Sequence, residues 1–466
     1  MKKYSVTICG GGSTYTPDML ELLCVAQKKF PIRKVVLFDI DYQRQKTVND
    51  YAEILFNEYC EGVEFFSTLD PKEAFEDMDF AFVQIRAGGM DLRNSDEKIP
   101  YTYDCIGQET CGPGGLSYGV RSVIEMKNLI NSIRTYSPNS WIINYSNPAA
   151  IVAEMTKRVF PNDKRIINIC DMPTQVLDTY LPLVNKKRSE IEPRYFGLNH
   201  YGWFTKIIDK KTGEDLLPEI LKICVTEKER VHKLIDNMYD VTTHWGKTFE
   251  DHLDMIQDYP YSLPNTYNLY YLYPDRRYSH YDIKTTRYDE IIEGREKNVI
   301  MYCNAIKALG KMKGTQYDIT DKVNAGLLEE TGCSSTIAYN DVHATYLIEL
   351  VISIIENGND ICLLMIQNNG IIPNLSSEMM LEVPCRVGSQ FIEPLHIGPV
   401  STFEKGLLEN QFASESLLVD AVLENDKQKM LQAFTINRLV NDTERAKKII
   451  AEFEKANGKF WPKLKG

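Results

Sequence analysis

The sequence has no long apolar run, no excess of positive charge, no paired cysteines and no low-complexity linker. Each absence removes a class of function. No stretch reaches the roughly 18 apolar residues that a membrane-spanning helix needs. A net charge of -12 leaves no cationic footprint for nucleic acid. It does not exclude a small anionic substrate, because a few converging arginines can hold a phosphate inside an acidic protein. The eleven cysteines are scattered and contain no C-x-x-C pair, so zinc-ribbon and finger spacings are missing. The opening "MKKYSVTICGGGS" is not a signal peptide, since glycines stop its short apolar run. These features predict reduced thiols and a cytoplasmic location.

What is present is the composition of an ordinary globular protein: 466 residues, 43% hydrophobic and 25% charged. That length predicts two domains. The first third alternates strand and helix signals. "YSVTICGGG" is a β-branched run into glycines, followed by a helical pattern from about Pro17 to Lys29. "RKVVLFDID" is a second strand ending at Asp39, with a polar helix from about Asp41. "GVEFFSTLD", "MDFAFVQIRAGG", "SWIINYSNP" and "KRIINICDMP" supply four more strands. Such alternation predicts a doubly wound parallel α/β sheet. It fades after about Arg194, where "RYFGLNHYGWF" reads as a strand entering an antiparallel region. Later come long helical stretches, such as that after Thr286, and strands in "LEVPCRVG" and "IEPLHIGPV". The expected domains are residues 1–193 and an α+β region over 194–466, packed tightly together.

Gly10, Gly11 and Gly12, followed by Ser13, lie between a strand and a helix. Glycines there let the backbone approach a pyrophosphate, whose charge suits a helix N-terminus. The match to G-x-G-x-x-G is incomplete, because its last position falls on Tyr15. Asp39, ending the second strand, can accept hydrogen bonds from a ribose diol and disfavours a 2'-phosphate; alternatively it caps the helix before "YQRQKT". The ordered set predicts a Rossmann-like domain binding NAD in preference to NADP.

A second group of residues carries chemistry of its own. In "RIINICDMPTQ" a thiol and a carboxylate, Cys170 and Asp171, end an apolar segment. His200 stands in "GLNHYGW". Read singly, Cys170 is a buried small hydrophobe and His200 a satisfied structural histidine. Read together at strand ends, they form a soft-to-borderline metal pair. "IGQETCGPGG" carries Glu109 in a glycine-rich loop, either a tight turn or an active-site flap. The tyrosines of "LPNTYNLYYLYPD", Tyr267 among them, are a packing surface or contain a base. Arg93 and Arg287, taken on their own, read as surface ion pairs.

The ordered motifs "GGGSTYTP", "GQETCGPGG", "NYSNPAAIV", "NICDMP", "GLNHYGW", "PNTY" and "TTRYDEIIEGRE" resemble those of glycoside hydrolase family 4. The resemblance implies a lactate/malate-dehydrogenase-like architecture, NAD, and a divalent metal, typically manganese (Mn2+). "CDMP" is the form found in 6-phospho-α-glucosidases of the maltose-6'-phosphate type. By position it assigns Cys170 and His200 to the metal, Asp171 to the general acid and Tyr267 to the base. Glu109 would raise the basicity of that tyrosine, and Arg93, Asn147 and Arg287 would contact the substrate, the arginines at its phosphate. The implied reaction is oxidation at C3, removal of the C2 proton, elimination of the aglycone, water addition and re-reduction, an exception to the two-carboxylate mechanism. The expected assembly is a homodimer or homotetramer acting on a phosphorylated disaccharide, with no nucleic-acid or membrane partner. The competing expectations are a 6-phospho-β-glucosidase, a plain NAD-dependent dehydrogenase, and a non-catalytic sensor.

Overall fold

Apolar runs rich in β-branched and aromatic residues form the first six strands. They are Tyr4–Cys9 (β1), Ile32–Phe38 (β2), Glu64–Thr68 (β3), Phe80–Val83 (β4), Trp141–Asn144 (β5) and Ile166–Asn168 (β6). All neighbours among them pair in parallel, in the order β6-β5-β4-β1-β2-β3. This is the doubly wound arrangement that the alternating pattern predicts. Its strand order reverses between β1 and β4, which opens a crevice at their C-terminal ends. The computed structural model describes residues 2–240, 242–280, 282–327 and 342–466.

Beyond β6 the chain turns antiparallel. Ile191–Leu198 (β7), Tyr201–Asp209 (β8) and Leu263–Pro264 (β9) form a small second sheet. Glu192 and Pro193, where the sequence pattern changes, lie inside β7. Asp360–Gln367 (β10), Met380–Val387 (β11) and Ile392–Pro394 (β12) then return to the first sheet. They extend it antiparallel beyond β6, through Met365 opposite Asn168. The nine-stranded sheet therefore draws strands from both halves of the sequence.

Several local expectations are refined or corrected. The first helix is Thr16–Val25, with a 3-10 turn at Ala26–Lys28 where the helical pattern continued. The polar helix begins at Tyr42, capped by Asp41, whose carboxylate accepts from Gln43 N and Arg44 N. Capping is therefore the work of Asp41 and leaves Asp39 available for another. "GPGG" is the first turn of a 25-residue helix, Gly112–Tyr136. Glycine is required there by packing: a Cβ on Gly114 would lie 2.4 Å from Gln108 O, and one on Gly115 2.4 Å from Thr110 C. The stretch after Thr286 is a short helix, Arg287–Glu290, a π-helical segment, Ile291–Glu296, and a third helix, Lys297–Leu309. Of "IEPLHIGPV" only Ile392–Pro394 is strand. Among the described residues, no helix is long and apolar enough to cross a membrane.

Candidate active site

One continuous cavity runs along the C-terminal strand ends. It is lined by Gly10, Ser13 and Asp39 at one end and by Cys170, Asp171, His200, Tyr267 and Arg287 further on. At the first end the site is made mostly of backbone. Gly10 and Gly11 both donate to Phe38 O, at 2.8 and 3.0 Å. Gly10 has φ +88°, and a Cβ there would meet Gln84 O at 2.8 Å. Gly12 N donates to Asp39 Oδ2 at 2.8 Å, while Asp39 Oδ1 accepts from Ile40 N and Asp41 N. Asp39 thus ties the glycine turn to the end of β2 and still borders the cavity. Gly11 and Gly12 are buried within the turn, so Gly10, Ser13 and Asp39 are the members that face the cavity. The turn opens the helix Thr16–Val25. A tight glycine turn, a helix N-terminus and an acid at the next strand end suit a dinucleotide.

The second end is made of side chains. β6 runs into Cys170, and Asp171 precedes the helix Met172–Tyr180 without spending its carboxylate as a cap. His200 occupies the two-residue turn between β7 and β8 in a left-handed backbone, φ +61°. That conformation costs a non-glycine residue of the order of 1 kcal/mol. The turn brings His200 Nε2 to 3.4 Å from Cys170 Sγ. A first-row transition ion about 2.1 Å from nitrogen and about 2.3 Å from sulfur would hold two such ligands about 3.1–3.6 Å apart. The pair therefore fits one metal ion. Burial keeps the imidazole down at about 4, in the neutral form a metal needs. Burial, then Asp171 and Glu382, push the Cys170 thiol well above its ordinary range, so its thiolate calls for a cation. Among the described residues no third histidine, cysteine, aspartate or glutamate completes a metal cluster with this pair.

The Tyr267 ring stacks on His200 with centroids 3.9 Å apart and planes 7° apart. Burial first, then Tyr270 and Glu109, push its phenol well above 10. A phenolate there requires cationic charge close by, and Arg287 is one source, coupled electrostatically to the ring. Glu109 is held by Arg86 Nη2 at 2.8 Å and Arg93 Nη1 at 2.9 Å. Burial alone would raise this carboxyl, but Arg86, Arg93 and Arg287 outweigh it and hold it low. Arg93, only 4% exposed, also pairs through Nε with Glu97 at 2.8 Å. Two of its three nitrogens are thus engaged within the protein. Arg287 pairs with Glu290 and has a side chain 35% exposed. Asn147 lines the cavity, and its carbonyl accepts from Ser122 Oγ.

The structure brings all the sequence-predicted residues to this cavity or to the turn beneath it. It adds others that the sequence reading missed. Arg86, just past the end of β4, is the second guanidinium on Glu109, and its position at a strand end was the available signal. Glu97 accepts from Tyr288 N at 2.7 Å and so ties Arg93 to the helix that begins with Arg287. Arg295 lies over the Tyr15 ring and Glu296 pairs with Arg44, closing the π-helical segment over the glycine turn.

The family model described as family 4 glycosyl hydrolase matches residues 5–184, and the model of its C-terminal domain matches residues 195–440. The chain belongs to the family 4 glycosyl hydrolases. Among the relatives of this family member is phospho-alpha-glucosidase PagL of Clostridium acetobutylicum, 50% identical over 100% of both chains. A solved 6-phospho-alpha-glucosidase from gut microorganisms, in complex with NAD and Mn2+, is 44% identical, covers 100% of both chains and superposes with a TM-score of 0.91. A second such enzyme from gut microorganisms, in complex with NAD and glucose-6-phosphate, is 37% identical over 100% of both chains, with a TM-score of 0.88.

Proposed function

We propose that this family 4 enzyme hydrolyses 6-phospho-α-glucosides, maltose 6'-phosphate among them, to glucose 6-phosphate and the released sugar or aglycone. The observation that carries the reading is the convergence of the Cys170–His200 pair, Asp171 and Tyr267 in the cavity that begins at the Gly10 turn. The complexes of its relatives with NAD, Mn2+ and glucose-6-phosphate support it.

Gly10, Ser13 and Asp39 would hold NAD, and Cys170 and His200 a divalent metal such as Mn2+; bound, these supply a reversible hydride acceptor and a Lewis acid for sugar oxygens. The chain's own groups do the remaining work. Tyr267 removes the proton at C2, its ring fixed by the stack on His200. Asp171, in the cavity beside Cys170, protonates the departing glycosidic oxygen as general acid. Arg287 and Asn147 orient the phosphorylated sugar, with Arg93 offering the part of its guanidinium not held by Glu97 and Glu109. Glu109, clamped by Arg86 and Arg93, keeps negative charge near Tyr267 and so raises the basicity of its phenolate, which cationic charge such as that of Arg287 stabilises.

The test is hydrolysis of maltose 6'-phosphate under reducing conditions, with NAD and Mn2+ each supplied or withheld. Release of glucose 6-phosphate that needs both, without build-up of NADH, is expected. Stoichiometric NADH would replace the reading with a dehydrogenase, and release indifferent to NAD would remove the redox mechanism.

A further inference from the structure

His200 has two ring nitrogens, and only one of them can serve the metal. Which one carries the proton depends on its partners. Nε2 faces Cys170 Sγ at 3.4 Å, and Nδ1 faces Thr110 Oγ1 at 3.2 Å. The direction of this second contact is settled further along the chain. Gln108 Oε1 accepts from two backbone amides, Thr110 N at 2.5 Å and Cys111 N at 2.6 Å. Those N–H groups require an oxygen opposite them, which fixes the orientation of the Gln108 amide. The same oxygen lies 2.9 Å from Thr110 Oγ1, so the threonine hydroxyl donates to it. With its one proton committed, Thr110 can only accept from His200. Nδ1 therefore carries the hydrogen, and the lone pair of Nε2 is left bare toward Cys170.

Resting on the metal site of the proposed function, we infer that Thr110, oriented by Gln108, is a positioning residue that selects the metal-binding tautomer of His200. The ring plane is set separately, by the stack on Tyr267. The short segment Gln108–Cys111 thus performs two tasks with adjacent residues. Glu109 engages the arginines, and Thr110 fixes the histidine proton. A polar partner of this kind, behind a ligating histidine, contributes about 10–100-fold in metal affinity.

The experiment measures Mn2+ affinity of the full-length protein from the electron paramagnetic resonance signal of free Mn2+, with NAD affinity measured alongside. Thr110→Val keeps the shape and removes the hydroxyl, and should weaken Mn2+ by about tenfold or more with NAD affinity unchanged. Thr110→Ser restores the hydroxyl and should bind within about threefold of the parent, well inside that loss. Parent-like Mn2+ binding by Thr110→Val overturns the proposal, as does a Thr110→Ser variant as weak as Thr110→Val, which would mark the loss as one of packing. His200→Ala separates the two levels of the argument. Should it bind Mn2+ as the parent does, the metal site itself falls and the relay with it; if His200→Ala loses Mn2+ while Thr110→Val retains it, only the relay falls.

Discussion

The two ends of the cavity are built on different principles. At the nucleotide end a run of consecutive residues, Gly10 to Ser13, makes the surface from its own backbone, and one side chain, Asp39, ties it down. At the metal end the groups come from the segment before the helix Gly112–Tyr136, from the end of β6, from the β7–β8 turn and from the residue before the helix Asn268–Leu272. Each contributes one or two side chains. A backbone site tolerates little change in conformation, whereas a side-chain site tolerates little change in chemistry. The two ends should therefore fail independently and in different ways.

The largest expected effect is chemical and confined to the metal end. Asp171→Asn removes the proton donor, a contribution of about 10²–10⁴-fold. It should lower kcat/KM on the disaccharide phosphate far more than on a phosphorylated glucoside with an activated aryl leaving group, while NAD affinity stays as it was. Equal losses on the two substrates would take Asp171 out of the acid role.

The next effect is conformational and belongs to the other end. Gly10→Ala forces a side chain onto a φ of +88° and a Cβ against Gln84 O at 2.8 Å. The cost should be of the order of 1–3 kcal/mol in stability, with weakened NAD binding and unchanged Mn2+ binding. Titrating both cofactors into the variant tests this, and parallel losses of the two affinities would show that the ends are not separable.

A third effect, spread over several pH units, sharpens the contrast in burial. Glu382, on β11, is a fully buried carboxyl that accepts from Asn199 Nδ2 at 3.3 Å, next to the His200 turn. Burial raises it from 4.5 to about 8, with Asp171 adding to the shift and Asn199 and Tyr195 opposing it. The folded protein thus keeps this proton while the unfolded chain gives it up. Stability from the protonated group is complete below about pH 4.5 and is lost as pH climbs through about 8. Glu382→Gln keeps an amide in place and cannot ionise. Its stability relative to the parent should rise by about 1.4 kcal/mol for each pH unit across that window, in urea melts of metal-free protein. A constant difference at all pH values would exclude Glu382 as the titrating group.

How much of this was legible in the sequence follows the same division. Local order sufficed for β1 to β6 and for the glycine turn with Asp39, because backbone chemistry is written in consecutive residues. The metal end was legible as residue types only. Their places at strand ends suggested Cys170 and His200 as a pair, and the resemblance of whole motifs to a known family assigned them to one metal. β10 went unread because "ICLLMI" is apolar throughout, and such a run has no period to separate a strand from a buried helix. The helix Gly112–Tyr136 was concealed by glycines of poor helix propensity, which the close approach of Gln108 and Thr110 demands. Thr110 and Gln108 were invisible for another reason: a hydroxyl and an amide announce nothing until their partners are in place.

The way β10 to β12 complete the main sheet has a consequence for synthesis. β6 is finished early in translation, yet its outer edge acquires a partner only when Asn168 meets Met365, far later in the chain. Until then a growing polypeptide with six strands' worth of sheet presents an unpaired edge, the form of surface on which nascent chains pair wrongly with one another. The last strands therefore act as a seal, and the ribosome must deliver most of the molecule before the half that emerged first is safe from its neighbours.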